Sequence, residues 1–66
     1  MYKIDVTMPH FSGQAPATRD RRSDARKCAK AMRELYDRIP GTIITIEGKG
    51  KVERAILTSD GWIDVA

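Results

Sequence analysis

The sequence predicts an α+β fold in which a single amphipathic helix packs on a small, mainly antiparallel sheet, in the order β-α-β-β-β. Three features predict it: an amino-terminal segment of alternating apolar residues, a middle segment with apolar residues at three- and four-residue steps, and a carboxyl-terminal part rich in β-branched and turn residues. We expect one domain over residues 1–66, near the lower size limit for a chain without disulfides.

The first predicted strand covers residues 2–8, where apolar and polar side chains alternate strictly. Pro9 ends it. Residues 9–22 contain two prolines, a glycine and many polar residues, and they predict a long loop. The sequence leaves open whether this strand pairs in a parallel or an antiparallel direction.

The helix is predicted to begin at Ser23, a good N-cap residue, with Asp24 favoured in the first turn by the helix dipole. It is predicted to run to about Arg38, because residues 39–41 (Ile-Pro-Gly) stop a helix. Its apolar stripe, expected to face the sheet, consists of Ala25, Cys28, Ala29, Met32, Leu35, Tyr36 and Ile39.

Three short strands are predicted after the helix, at residues 42–47, 52–58 and 62–65. The turns between them are predicted at Gly48–Gly50 and at Asp60–Gly61. These strands form a meander, and one face of the resulting sheet covers the helix.

The last turn decides which side chains of the last strand enter the core. A two-residue turn places Ile63 on the same face as Ile56, whereas a three-residue turn places it with Leu57. Gly61 is expected to adopt a positive φ in either geometry. We expect Ile63 in the core and therefore Trp62 on the outer sheet face.

Positive charge is concentrated in the middle of the chain. The net charge is +3, but from Arg19 to Arg38 eight cations accompany four acids, which leaves a local charge of +4 (eight minus four). This asymmetry indicates a surface for an anionic partner. The eight cations are Arg19, Arg21, Arg22, Arg26, Lys27, Lys30, Arg33 and Arg38.

The residue types argue against an enzyme. The single histidine, His10, and the single cysteine, Cys28, cannot make a zinc site, which takes about four ligands. Cys28 lies on the apolar stripe, so we expect it to be buried and unreactive. Gly48–Gly50 is not followed by a helix and is therefore not a phosphate loop. We expect no catalytic residues, no metal and no cofactor.

A lone cysteine indicates no disulfide scaffold and favours a reducing cytoplasm. The sequence shows no signal-peptide pattern, and no apolar run approaches the roughly 18 residues that a membrane span needs. We therefore expect a cytoplasmic protein without a membrane partner.

The helical cations have two interpretations. Helical geometry places Arg26, Lys30 and Arg33 in one narrow, solvent-facing sector, with Lys27 beside it. This sector is either an ordinary solvated face or a site for phosphates or carboxylates, for which arginine is well suited. On the second interpretation the candidate partner-binding residues are Arg22, Arg26, Lys27, Lys30, Arg33, Lys49 and Lys51.

Three segments, Ser23–Lys27, Gly41–Glu47 and Trp62–Asp64, resemble small phage-encoded anti-CRISPR proteins that inhibit type I-F surveillance complexes. The resemblance covers about residues 23–65. It implies inhibition by binding the backbone subunits of the RNA-guided complex, over surfaces that would otherwise hold target DNA. Basic residues near the start of the helix make contacts in such proteins, and they match Arg26 and Lys27.

The function expected from the sequence is therefore a non-enzymatic phage or mobile-element inhibitor of a host CRISPR–Cas surveillance complex, acting in the cytoplasm of the host bacterium. The alternative is a small nucleic-acid-binding regulator, and a homodimer is open in both cases. Salt separates the two, because a protein that neutralises several phosphates loses orders of magnitude in affinity between about 50 and 200 mM salt.

Overall fold

A computed structural model describes residues 1–9 and 16–65 of the chain. Within them, one helix and five strands form a two-layer α+β fold, which confirms the predicted class. The strands lie in the order β2-β1-β3-β4-β5, and every neighbouring pair is antiparallel. The elements are β1 Tyr2–Thr7, β2 Ala17–Arg19, α1 Arg22–Leu35, β3 Ile43–Gly48, β4 Lys51–Thr58 and β5 Gly61–Val65.

The short strand β2 corrects the predicted element order. It pairs with β1 over three residues, with Ile4 opposite Ala17, so the order is β-β-α-β-β-β and not β-α-β-β-β. Its sequence, Ala-Thr-Arg, is too short to show an alternating pattern, and the free edge of β1 supplies its hydrogen-bonding partner. The predicted loop at 9–22 therefore holds a strand at its carboxyl end, while its residues 10–15 lie outside the described part.

The helix begins earlier and ends earlier than predicted. Arg21, and not Ser23, occupies the N-cap position with an extended backbone, and it makes no side-chain cap. Only two residues separate β2 from α1, so the strand fixes where the helix starts. The helix ends at Leu35, a residue that is 74% exposed. The distal part of the predicted apolar stripe is therefore not covered by the sheet.

The core lies between α1 and the middle of the sheet. Small side chains on the helix, Ala25 and Ala29, are buried and allow the helix axis to approach the strands. Cys28 is only partly buried at the margin of this core, so the prediction of a buried cysteine is wrong. The sheet residues of the core cluster are Tyr2, Ile4, Ile44 and Ile46.

The last hairpin reverses the predicted facing of β5. Its register places Ile63 opposite Ile56 and Trp62 opposite Leu57. The two-residue turn is Ser59–Asp60, one residue earlier than the predicted Asp60–Gly61, because Gly61 already pairs with Thr58 as the first residue of β5. Leu57 is buried on the helix side of the sheet, so Trp62 packs against the core while Ile63 lies on the outer face, 50% exposed. The positive φ expected at Gly61 is confirmed at 112°.

Candidate functional site

A groove opens between the helix and the last two strands. The helix packs mainly on β1, β2 and β3, so β4 and β5 lie to one side of it. The groove has a volume of about 600 Å³. Its charged lining residues are Arg26, Lys30 and Arg33 from the helix and Glu53, Arg54 and Asp64 from the strands.

Glu53 binds two arginines of the helix. Its Oε1 accepts a hydrogen bond from Arg26 Nη2 at 2.9 Å, and its Oε2 accepts one from Arg22 Nε at 3.3 Å. The register of β4 places Glu53 on the helix side of the sheet, opposite Ile46 and two residues before buried Ala55. The acid therefore joins the start of the helix to β4.

These hydrogen bonds shift the pKa values of Glu53 and Arg26. The bond from Arg26 is the main reason that the pKa of Glu53 lies below its ordinary value; partial desolvation opposes it, and the bond from Arg22 adds to it. The same bond raises the pKa of Arg26. A lowered carboxylate pKa stabilises the fold at pH values above the ordinary glutamate pKa, and this contribution is lost as the pH falls through the lowered value.

Arg33 is held at the other end of the groove. Its Nη2 donates to Asp64 Oδ1 at 2.6 Å, and its guanidinium carbon lies 5.9 Å from the centroid of the Trp62 ring. Trp62 Nε1 donates to the main-chain oxygen of Arg33 at 3.2 Å, which satisfies a carbonyl in the last turn of the helix. Trp62 thus fixes both the backbone and the side chain of Arg33.

The solvent-facing sector predicted for the helical cations is thus only partly correct. Arg26, Lys30 and Arg33 do line one groove. Arg22 and Arg33, however, are about two-thirds buried at their side chains, because the helix lies off-centre on the sheet and its flank overhangs the acids of β4 and β5. The three predicted site arginines are therefore already paired with acids within the molecule, with Arg22 and Arg26 sharing the one carboxylate of Glu53.

Four predicted site lysines remain exposed, and no acid forms an ion pair with any of them in the described part of the chain. Lys27 and Lys30 lie on the helix, and Lys30 alone of the four lines the groove. Lys49 and Lys51 lie at the β3–β4 turn, and Lys51 shares the helix side of β4 with Glu53.

Lys49 occupies a costly position for its residue type. Its φ is 50° and that of Gly50 is 75°, the pattern of a two-residue hairpin turn in which asparagine and glycine are the preferred residues. A lysine in this left-handed conformation costs roughly 1 kcal/mol relative to glycine. The chain therefore carries a cation at the hairpin tip despite a backbone penalty, and such strain is more frequent at functional positions.

Sequence reasoning missed Glu53, Asp64 and Trp62 as members of this site. Glu53 lies two residues before Ala55 and Asp64 two residues after Trp62, so each shares a sheet face with an apolar neighbour. That alternation is the signal that could have placed both acids beneath the helical cations. This signal is ambiguous, because the residues on the opposite face of the same strands are equally apolar and could equally well form the core.

Within residues 1–9 and 16–65, no cluster of histidine, cysteine and carboxylate side chains is arranged to hold a metal ion. In the same residues no helix combines the length and the apolar character that crossing a membrane requires. His10 lies outside the described residues. Comparisons of the chain with protein-family models, curated proteins and solved structures found no match.

Proposed function

We propose that this protein is a non-enzymatic inhibitor, carried by a phage or mobile element, which binds a host CRISPR RNA-guided surveillance complex in the bacterial cytoplasm and blocks target DNA binding. One observation supports docking onto an anionic partner: Lys27, Lys30, Lys49 and Lys51 are exposed, and no described acid neutralises them. The resemblance of three segments to inhibitors of type I-F complexes supports the identity of that partner.

The paired arginines and the free lysines contribute differently to such docking. Glu53 and Asp64 already hold the arginines, so a partner would compete with these acids for them. The lysines gain a counter-charge only when the partner arrives, and such charges accelerate association and select anionic surfaces. The RNA of a surveillance complex and acidic patches on its subunits would both supply negative charge.

Replacing both Lys27 and Lys30 by glutamate is expected to weaken binding to a purified type I-F complex at least tenfold. Neither lysine forms an ion pair with an acid in the described residues, so the melting curve and circular dichroism should stay close to those of the wild type. Arg26 is unsuitable for this test, because a glutamate there would face Glu53. Surface plasmon resonance measures the affinities.

The matched control is Arg19→Glu with Arg38→Glu, which changes the net charge equally outside the proposed set. Arg19 lies in β2 and Arg38 beyond the helix, and both are exposed. This variant should bind like the wild type. If the wild-type protein fails to bind the complex, the proposed partner is wrong. If both variants weaken binding equally, the proposed role of Lys27 and Lys30 as the binding surface is wrong.

Lys49→Asn is expected to separate stability from binding. Asparagine tolerates the left-handed turn better than lysine, so the free energy of unfolding should stay the same or rise by up to about 1 kcal/mol. Binding to the complex should fall because one cation is lost. A chemical denaturation curve and the binding assay together check this, and a variant that binds as tightly as the wild type removes Lys49 from the site.

The alternative function, nucleic-acid binding, uses the same lysines and has a different salt dependence. Fluorescence anisotropy with DNA and RNA oligonucleotides at about 50 and 200 mM salt measures it. Tight binding that falls by orders of magnitude over this range, together with no affinity for the complex, would favour the nucleic-acid regulator over the inhibitor.

A further inference from the structure

The two edges of the sheet are protected differently. β2, at one edge, has only three residues, and Thr18 and Arg19 are exposed. β5, at the other edge, has five residues, and its outer face exposes Ile63 at 50% and Val65 at 42%. Edge strands of monomeric proteins are usually short, charged, bulged or interrupted by proline. β5 carries one charge, at Asp64, and neither lysine nor proline.

Among the described strands, β5 has no neighbour on its outer side, and its main-chain groups there have no strand partner. In an antiparallel pair joined by a two-residue turn, the residues flanking the turn exchange hydrogen bonds, and alternate pairs along the ladder do the same. Thr58–Gly61 and Ile56–Ile63 are therefore hydrogen-bonded pairs of β4 and β5. The amide and carbonyl groups of Trp62 and Asp64 consequently point away from the sheet.

We infer that two copies of this chain associate through β5, as an antiparallel strand pair whose two-fold axis passes beside Ile63. The two sheets then join into one, with both helices on the same side. This inference does not depend on the proposed inhibitory function. Trp62 of each copy lies opposite Asp64 of the other, and these are the residues with free main-chain groups, so four new hydrogen bonds can form.

This register also continues an apolar row on the outer face. Ile43, Ile56 and Ile63 lie directly opposite one another across β3, β4 and β5. Because Ile63 of one copy lies opposite Ile63 of the other, the row continues across both sheets and contains six isoleucines. The two Ile63 residues, one from each copy, would form a non-hydrogen-bonded pair, which is the pair type in which side chains approach most closely.

Charge favours the same register. In each copy Asp64 binds Arg33, whose guanidinium also lies over Trp62, and the Asp64 side chain is 83% exposed. In the dimer, Asp64 of one copy lies opposite Trp62 of the other copy. Arg33 of that other copy, which lies over this Trp62, then becomes a second arginine near Asp64 on the helix side. A register shifted to centre on Asp64 would instead place two like charges directly opposite each other, which is destabilising.

The expected dimer is of modest affinity. A pairing of five residues from each copy buries less than the roughly 800 Å² per partner of a standard stable interface. Dissociation constants in the micromolar range are therefore expected, and the dimer should be visible at the concentrations used for sedimentation equilibrium.

Ile63→Lys is expected to weaken the dimer at least tenfold in sedimentation equilibrium, because two lysines would meet at the axis. Val52→Lys is the matched control: it is 45% exposed on the same outer face but lies on β4, away from the edge. It should leave association unchanged. Circular dichroism checks that both variants fold. A wild type that is monomeric up to about 1 mM, or a dimer weakened equally by both variants, overturns the inference.

Cross-linking tests the register without relying on a charged variant. In a Cys28→Ala background, Ile63→Cys should form a disulfide-linked dimer rapidly under mild oxidation, because the two Cα atoms at the axis lie within the range of about 4.4–6.8 Å that a disulfide spans. Val52→Cys should cross-link slowly. Equal rates for the two cysteine variants, measured on a non-reducing gel, would overturn the proposed pairing.

Discussion

Replacing Ile4 by alanine is expected to lower the free energy of unfolding by about 2–5 kcal/mol. Ile4 is fully buried in β1, the strand between β2 and β3, and it belongs to the core cluster beneath the helix. Its removal loses apolar burial and leaves a cavity that neighbouring strands cannot close. Small domains have about 5 kcal/mol of stability or little more, so the variant should be largely unfolded near physiological temperature.

Ile63→Ala is the matched control for this prediction. The same side chain is removed, but Ile63 is 50% exposed on the outer face, so the expected loss is within about 1 kcal/mol. Urea denaturation at a concentration where the protein is monomeric measures both variants. An equal loss of stability for Ile63→Ala and Ile4→Ala would mean that Ile63 is buried in the core. The placement of Ile63 on the outer face of β5 would then be wrong.

Gly48→Ala is expected to destabilise the protein by about 1–3 kcal/mol. Gly48 has no positive φ, so alanine would normally strengthen a strand at such a position. Here, however, an added Cβ would lie 2.8 Å from Tyr2 Cε1 and 3.0 Å from the main-chain oxygen of Met1. The Tyr2 side chain is buried and its ring has little room to move. Because of this steric overlap, Gly48→Ala lowers the stability, although glycine-to-alanine substitutions in a strand usually raise it.

A double-mutant cycle with Tyr2→Ala tests this cause. Once the ring is gone, Gly48→Ala should cost much less than it does in the wild type. Gly50→Ala gives a comparison without overlap, since nothing lies near an added Cβ there and the cost arises from its φ of 75° alone. Equal costs of Gly48→Ala with and without the Tyr2 ring, measured by thermal unfolding, would rule out the proposed overlap.

The division of the cations into two groups changes how the basic helix is interpreted. A count of charges along the chain treats Arg22, Arg26 and Arg33 as equivalent to the lysines. The structure pairs these arginines with Glu53 and Asp64 and leaves the lysines without acids in its described residues. Charge-reversal experiments on the arginines would therefore disturb the fold as well as a partner contact.

Several features follow from the sequence alone. The α+β class follows from the alternation in β1 and from the three- and four-residue apolar spacing in α1, because these two periods identify strand and helix locally. The positive φ at Gly61 follows from the chemistry of the turn. The placement of Arg26, Lys30 and Arg33 on one side of the helix follows from helical geometry.

Only the tertiary structure decided the rest. Both alternating sets of β4 and β5 are apolar enough to form a core, so local pattern could not choose between Trp62 and Ile63. The choice comes from the register carried across the sheet from Ile4 through Ile46 and β4 to Trp62. Strand β2 likewise exists because β1 offers it a free edge. The ion pairs of Glu53 and Asp64 join residues 27 to 31 positions apart, a separation at which local sequence carries no information about contact.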